Sequence, residues 1–278
     1  MKHRYKPLVA LLATVLLAVP LASCRGVPSA QSAAPEPVEL TVFAAASMQE
    51  SLNAAAELYR ETNPGVTVTC NFDSSGTLKT QIAEGAVCDI FISAGQKQMN
   101  QLDGAADASV NTDGLDFILS DTRFDLVTNT VVLIVPEGNP AGITSFEDVN
   151  TDRVSLIALG NSDVPAGQYA QQIFVFLGMW DALNRDGKIT FSSNVKEVAA
   201  QVAAAAVDCG VVYVSDAAAT DAVEVAAQAP QGSHKPVNYP AAVLKASEHP
   251  EEAEAFLEFL KSDVCAEIFT GIGFGIPS

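Results

Sequence analysis

Basic residues are scarce in this chain. Lysine and arginine together number 15 against 33 aspartates and glutamates, a formal net charge of −18. A surface that acidic repels phosphate backbones and anionic lipid headgroups, which excludes nucleic acid as a natural partner. Histidine is scarcer still: His3, His234 and His249 stand far apart, and none carries the signature of a catalytic triad. The five cysteines include no CxxC pair and no metal-ligand spacing. Glycine-rich nucleotide loops are missing too, because Gly160-Asn161-Ser162 and Gly271-Ile272-Gly273 match neither the dinucleotide nor the P-loop pattern. The many carboxylates show no pairing that spacing can identify. These absences point away from an enzyme and toward binding without chemistry.

What is present begins at the amino terminus. Lys2, Arg4 and Lys6 carry positive charge, and an apolar run from Leu8 to Ala22 follows, interrupted by Pro20. A membrane-spanning helix needs roughly 20 unbroken apolar residues, so residues 1–23 are expected to be a signal peptide. The run ends in Leu21-Ala22-Ser23-Cys24, which resembles the lipobox of bacterial lipoproteins. That resemblance implies lipidation of Cys24 and an anchor on the outer face of the cell membrane. Residues 24–38, rich in Ser, Ala and Pro, suit a tether. Removal of residues 1–23 leaves 12 basic against 33 acidic residues, a net charge of −21. Cys70, Cys88, Cys209 and Cys265 then remain, either as disulfides or as buried free thiols.

From Glu39 onward, short β-rich runs alternate with helical periodicity. Strand-like runs are Glu39–Phe43, Val66–Phe72, Asp89–Ser93, Thr130–Val135, Val154–Leu159, Ile189–Phe191 and Gly210–Val214. This alternation predicts βαβ units and mostly parallel sheets. Lys235–Leu244 reads as a return crossing and Pro250–Lys261 as a closing helix. The expected organisation is a first lobe of residues 39–128 plus 233–278 and a second lobe of residues 129–232.

Four strand-to-helix turns expose small or capping residues. Ser47 with Glu50 three residues later has the capping-box pattern. Ser74-Ser75-Gly76-Thr77 opens a second helix, Pro165-Ala166 suits the first turn of a third, and Asn194 caps a fourth that begins at Val195. Each is an ordinary helix start when taken alone. Together they offer unpaired N–H groups and the positive ends of helix dipoles, an anion site that needs no lysine or arginine. In parallel sheets such turns lie at the carboxyl ends of strands, where ligands bind. An acidic protein can therefore hold an anion locally.

Phe43–Ser47, Ser74–Leu78, Asp89–Ala94, Val164–Ala170 and Gly210–Ala217 resemble, in order and spacing, the molybdate-binding proteins of ABC importers. The resemblance implies a two-lobed α/β periplasmic-binding-protein fold of type II, with the ligand cleft between lobes. It implies molybdate or tungstate as ligand, no cofactor, and an ABC permease with its cytoplasmic ATPase as partner. A monomer is expected. The matching ligand positions are Ser47 and Ser75 by hydroxyl and N–H, Ala166 and Val195 by N–H, and the hydroxyl of Tyr213. Gly76 departs from the pattern, which often shows another serine there. Asp73 is expected to point outward into solvent, away from a dianion. Sulfate or phosphate as ligand, and a secreted hydrolase acting through Ser47, are the alternatives.

Overall fold

A computed structural model describes residues 37–277. The leader and Cys24 lie outside the described residues. The strands are β1 (Val38–Ala45), β2 (Val66–Asp73), β3 (Ile90–Ile92), β4 (Phe124–Asn129), β5 (Val131–Pro136), β6 (Ile157–Gly160), β7 (Ile189–Ser192), β8 (Cys209–Tyr213), β9 (Val223–Gln228) and β10 (Val237–Val243). The helices are α1 (Gln49–Thr62), α2 (Ser75–Ala83), α3 (Gln96–Leu102), α4 (Pro165–Phe176), α5 (Trp180–Arg185), α6 (Val195–Ala203), α7 (Val214–Ala218), α8 (Pro250–Leu260) and α9 (Asp263–Gly271).

The strands form two five-stranded sheets, in the orders β2-β1-β3-β10-β4 and β7-β6-β8-β5-β9. Each defines one lobe of an α/β fold. The chain passes from the first sheet to the second between Asn129 and Val131, and returns between β9 and β10. Each sheet holds two parallel and two antiparallel pairings, a mixed sheet in which a single reversed strand makes both antiparallel pairings. In each sheet four of the five strands run the same way, and only β10 in the first and β5 in the second run against them. The crossing strands supply the antiparallel pairs.

Side-chain alternation explains the layers. Along β1, Leu40, Val42 and Ala44 enter one face of the sheet, while Phe43 enters the opposite face with Leu78, Ile82, Phe91 and Met99. Residues two apart share a face of a strand. On the first face, α1 buries Leu52, Ala55 and Tyr59, and the Tyr59 ring meets Phe256 of α8 edge-on at 5.0 Å. Pro240 lies inside β10 between β3 and β4, at a register shift against β4. A proline has no N–H to give the ladder, which is why the ladder breaks there. Its carbonyl still accepts from the Ser93 amide at 3.0 Å.

Strands β4 and β9 and helix α9 are elements that the periodicity did not separate. Phe124–Asn129 is divided from β5 by Thr130 alone, with no turn signal to mark it as a strand of its own beside Thr130–Val135. In β9, Val223-Glu224-Val225-Ala226-Ala227 is alanine-rich and reads as weakly as helix. The four described cysteines are unbridged, and three of them are buried. Burial pushes the Cys70 and Cys88 thiols up to about 12, which keeps them protonated and unreactive.

Candidate functional site

The six parallel strands end on one cavity. Ala45 ends β1 with Ala46 and Ser47 after it, Asp73 ends β2 with Ser74 and Ser75 after it, and Ala94 follows β3. From the second lobe come Val164, Pro165 and Ala166 after β6, Asn194 and Val195 after β7, and Tyr213 at the end of β8. All five predicted ligand residues, Ser47, Ser75, Ala166, Val195 and Tyr213, line it together. The cavity volume is about 10 Å³, far below the roughly 300–1,000 Å³ of pockets for organic ligands. It suits a small ion. No lysine or arginine lines it.

Helix starts supply most of the donors. Ser74 is the N-cap of α2, and its Oγ accepts from the Thr77 amide at 3.1 Å. That leaves the Ser75 amide, at the first helical position, without an intrahelical partner. Pro165 opens α4 and places the Ala166 amide in the first turn. Gly167 lets that turn sit against β6, because a Cβ there would meet the Gly160 carbonyl oxygen at 2.1 Å. Asn194 caps α6 by accepting from the Glu197 amide at 3.0 Å, which leaves the Val195 amide free. The dipoles of α2, α4 and α6 thus present their positive ends to one point.

The hydroxyls are oriented by buried partners. Ser75 Oγ accepts from the Ala94 amide at 2.9 Å, so its own proton remains to donate. Ser47 does not cap α1, contrary to the capping-box pattern. It lies in a 3-10 turn, Ala46–Met48, ahead of α1, and no side chain caps either start. Its Oγ shares a 2.8 Å hydrogen bond with Tyr239 Oη of β10. Asn129 Nδ2 donates to the same Tyr239 oxygen at 3.2 Å and to Ser215 Oγ at 2.9 Å. Either hydroxyl can donate in this bond; with Tyr239 donating, the Ser47 proton is free for the cavity. Tyr239, Asn129 and Ala94 were not singled out from sequence, since nothing local distinguishes a strand tyrosine or a crossing asparagine.

Tyr213 is 1 % exposed, and its Oη donates to the Ala94 carbonyl over a long 3.4 Å. Burial first, then Tyr239, Tyr169 and Asp216, push its phenol well above the ordinary value. It stays protonated and able to donate. Asp216 was also not foreseen. It is 1 % exposed, its Oδ2 accepts from the Tyr213 amide at 3.1 Å, and its Oδ1 has no hydrogen-bond partner. Burial pushes its carboxyl up to about 7, against the opposing pull of Lys196 and the Tyr213 amide, while Glu50 pushes it further up. Asp73 does not point away into solvent: it is half-buried at the cavity edge, and its Oδ1 accepts from the Ser74 amide at 2.7 Å.

The arrangement is poorly built for hydrolysis. Neither cavity serine has a base beside it, because Ser47 bonds Tyr239 and Ser75 bonds Ala94. His234 bonds the Lys235 carbonyl and meets the Tyr169 ring, and His249 precedes α8. Among the described residues, no group of three or more His, Cys, Asp or Glu could hold a metal cation.

A family model described as bacterial extracellular solute-binding protein matches residues 40–275. The chain is 36% identical over 244 residues to the molybdate-binding protein ModA of Escherichia coli, covering 86% of this chain and 89% of that one. It is 35% identical over 240 residues to the ModA of Haemophilus influenzae, covering 85% and 89%. Among solved structures, the periplasmic molybdate-binding protein of Azotobacter vinelandii superposes with a TM-score of 0.74 at 24% identity, over 86% of this chain and 100% of that one. This last likeness speaks for the fold alone.

Proposed function

The chain belongs to the bacterial extracellular solute-binding proteins, and from that premise we propose that it captures molybdate between its lobes and delivers it to an ABC importer. Two relatives above 30% identity carry the name molybdate-binding protein over most of their length. The observation that carries the reading is the convergence of the six parallel strand ends, with their helix starts and hydroxyls, on one ion-sized cavity without a cationic side chain. Neutral donors suit a dianion that keeps no proton. Ser47, Ser75 and Tyr213 donate through hydroxyls, and Ser75, Ala166 and Val195 through amides. Tungstate, with nearly the same size and charge, is the second ligand of the same site.

The proposal extends to the ends of the route. Residues 1–23 act as signal peptide, Cys24 carries the lipid anchor, and the tether lets a monomeric binding unit reach its permease and cytoplasmic ATPase. Among the described residues no helix is long and apolar enough to cross a membrane. Calorimetric titration with molybdate, tungstate, sulfate and phosphate tests the ligand. Tight binding of the first two is expected. Equal binding of all four makes the chain a general oxyanion binder, and ester hydrolysis lost in Ser47→Ala would make it a hydrolase.

A further inference from the structure

Two contacts join the lobes without touching the cavity's ligand positions. Lys196 of α6 places its Nζ 2.8 and 2.7 Å from the two carboxylate oxygens of Glu50 in α1. The Gly76 amide of α2 donates to the Asp163 carbonyl, in the loop before α4, at 2.9 Å. Both pairs bridge elements of opposite lobes, and each stands next in sequence, or nearly so, to a proposed ligand residue: Val195 and Ser47 for the first, Ser75 for the second. We propose that these contacts form a two-point latch that holds the lobes shut around the anion, with Gly76 as the residue that permits closure. The proposal rests on the oxyanion-binding reading of the cavity.

Sterics assign Gly76 its part. A Cβ on Gly76 would lie 2.4 Å from the Asp163 oxygen and 2.7 Å from its Cα. Both are backbone atoms, which cannot swing aside as a side-chain tip can. With the Asp163 backbone where it lies in this chain, a side chain at 76 would hold the lobes apart unless that loop shifted. Position also makes the Gly76 amide diagnostic. As the second residue of α2 it has no partner inside its own helix, so its protection from solvent comes from the bond across the cleft.

The ion pair contributes by a different route. Lys196 and Glu50 side chains are 26% and 44% exposed, so each returns to water when the lobes part. Such a pair stabilises modestly, but every part of that stabilisation is lost on opening. Its effect falls on the rate of ligand release rather than on arrival. Lys196 is also the cation that follows Val195, and Glu50 pairs with its charge, so no unpaired cation stands beside the cavity when it is shut.

The test is a charge-swap cycle in the purified full chain, with Glu50→Lys, Lys196→Glu and the double swap, together with Gly76→Ala. Amide hydrogen exchange at Gly76 is followed by NMR with and without sodium molybdate, and molybdate release is timed by stopped flow. Each single reversal is expected to speed Gly76 exchange and molybdate release by at least threefold, and the double swap to restore both. Exchange at Ile82, inside α2, should be unmoved. Gly76→Ala should speed release tenfold or more. Identical Gly76 exchange in the wild type and all three charge variants overturns the latch, as does unprotected exchange of Gly76 in the molybdate-loaded wild type. If wild type binds no molybdate, the functional reading fails, and the ligand-free Gly76 exchange rates still decide the latch.

Discussion

The hydroxyls of Ser47 and Tyr239 lie 2.8 Å apart although 192 residues separate them in the chain. The bond ties the turn after β1 to the strand that returns from the second lobe, and it holds the Ser47 hydroxyl in place. Tyr239→Phe removes that restraint and leaves the Asn129 amide short of one acceptor. A net loss of about 0.5–1.5 kcal/mol per neutral hydrogen bond predicts molybdate binding weakened roughly two- to tenfold. Calorimetry should show the loss with the fold intact by circular dichroism. Unchanged affinity would detach Tyr239 from the site.

The direct donors should cost more. A hydrogen bond to a charged ligand contributes about 1.5–3 kcal/mol, so Tyr213→Phe and Ser75→Ala are each expected to weaken binding roughly ten- to hundredfold. Ser75→Ala also strips the Ala94 amide of its acceptor and should lower the melting temperature slightly. Full affinity in both variants would remove these residues from the ligand set.

Selectivity follows from the donor set. Neutral donors in so small a cavity, about 10 Å³, cannot adapt as an arginine fork does, so sulfate, with shorter bonds, reaches fewer of them at once. Phosphate brings a proton that needs an acceptor, and an unpaired buried polar group costs about 1–3 kcal/mol. Ligand at 100 times its dissociation constant stabilises the folded state by about 2.7 kcal/mol. Molybdate and tungstate at low micromolar excess should raise the melting temperature, and sulfate and phosphate at the same concentration should leave it nearly unmoved.

Asp216 makes stability depend on pH in a defined window. Its carboxyl titrates near 7 in the folded chain against an ordinary value of 3.8. Between these values the folded state holds a proton that the unfolded chain has released, so this group's contribution falls as pH rises from about 4 to 7 and is constant above. Asp216→Asn keeps an acceptor for the Tyr213 amide and removes the titration. The variant should melt several degrees above the wild type at pH 8, with the gap closing toward pH 5. Parallel melting curves across that range would contradict the burial argument.

Anchoring is tested by fractionation. Cys24→Ala should release the protein from membranes, since two acyl chains hold stably where one is marginal. Wild-type protein found wholly in the soluble fraction would refute the lipid anchor.

Most of the fold was legible in the sequence because strand-to-helix turns carry local chemistry. The Asn194 cap of α6 and Pro165 at the head of α4 sit where the pattern placed them. The Ser47 cap failed because the chain makes a 3-10 turn, Ala46–Met48, before α1, and the Ser47 hydroxyl bonds Tyr239 instead. Asp216 went unnoticed for a related reason. An Asp two residues into a short helix looks like a cap, and only the packing around it leaves Oδ1 without a partner. Elements joined by a single residue, such as β4 and β5, have no turn signal to divide them.

The two sheets share one strand order, yet they are not equal in how they can be made. The second sheet uses β5 to β9, an unbroken stretch of chain, and all its partners are present once Gln228 has been synthesised. In the first sheet β10 is the strand between β3 and β4, so β4 has no neighbour in that sheet until residues 237–243 arrive. Contacts this far apart close slowly. The first lobe, although it is begun first, must be finished last, and a chain stopped before Val237 would leave one complete lobe beside an open-edged one.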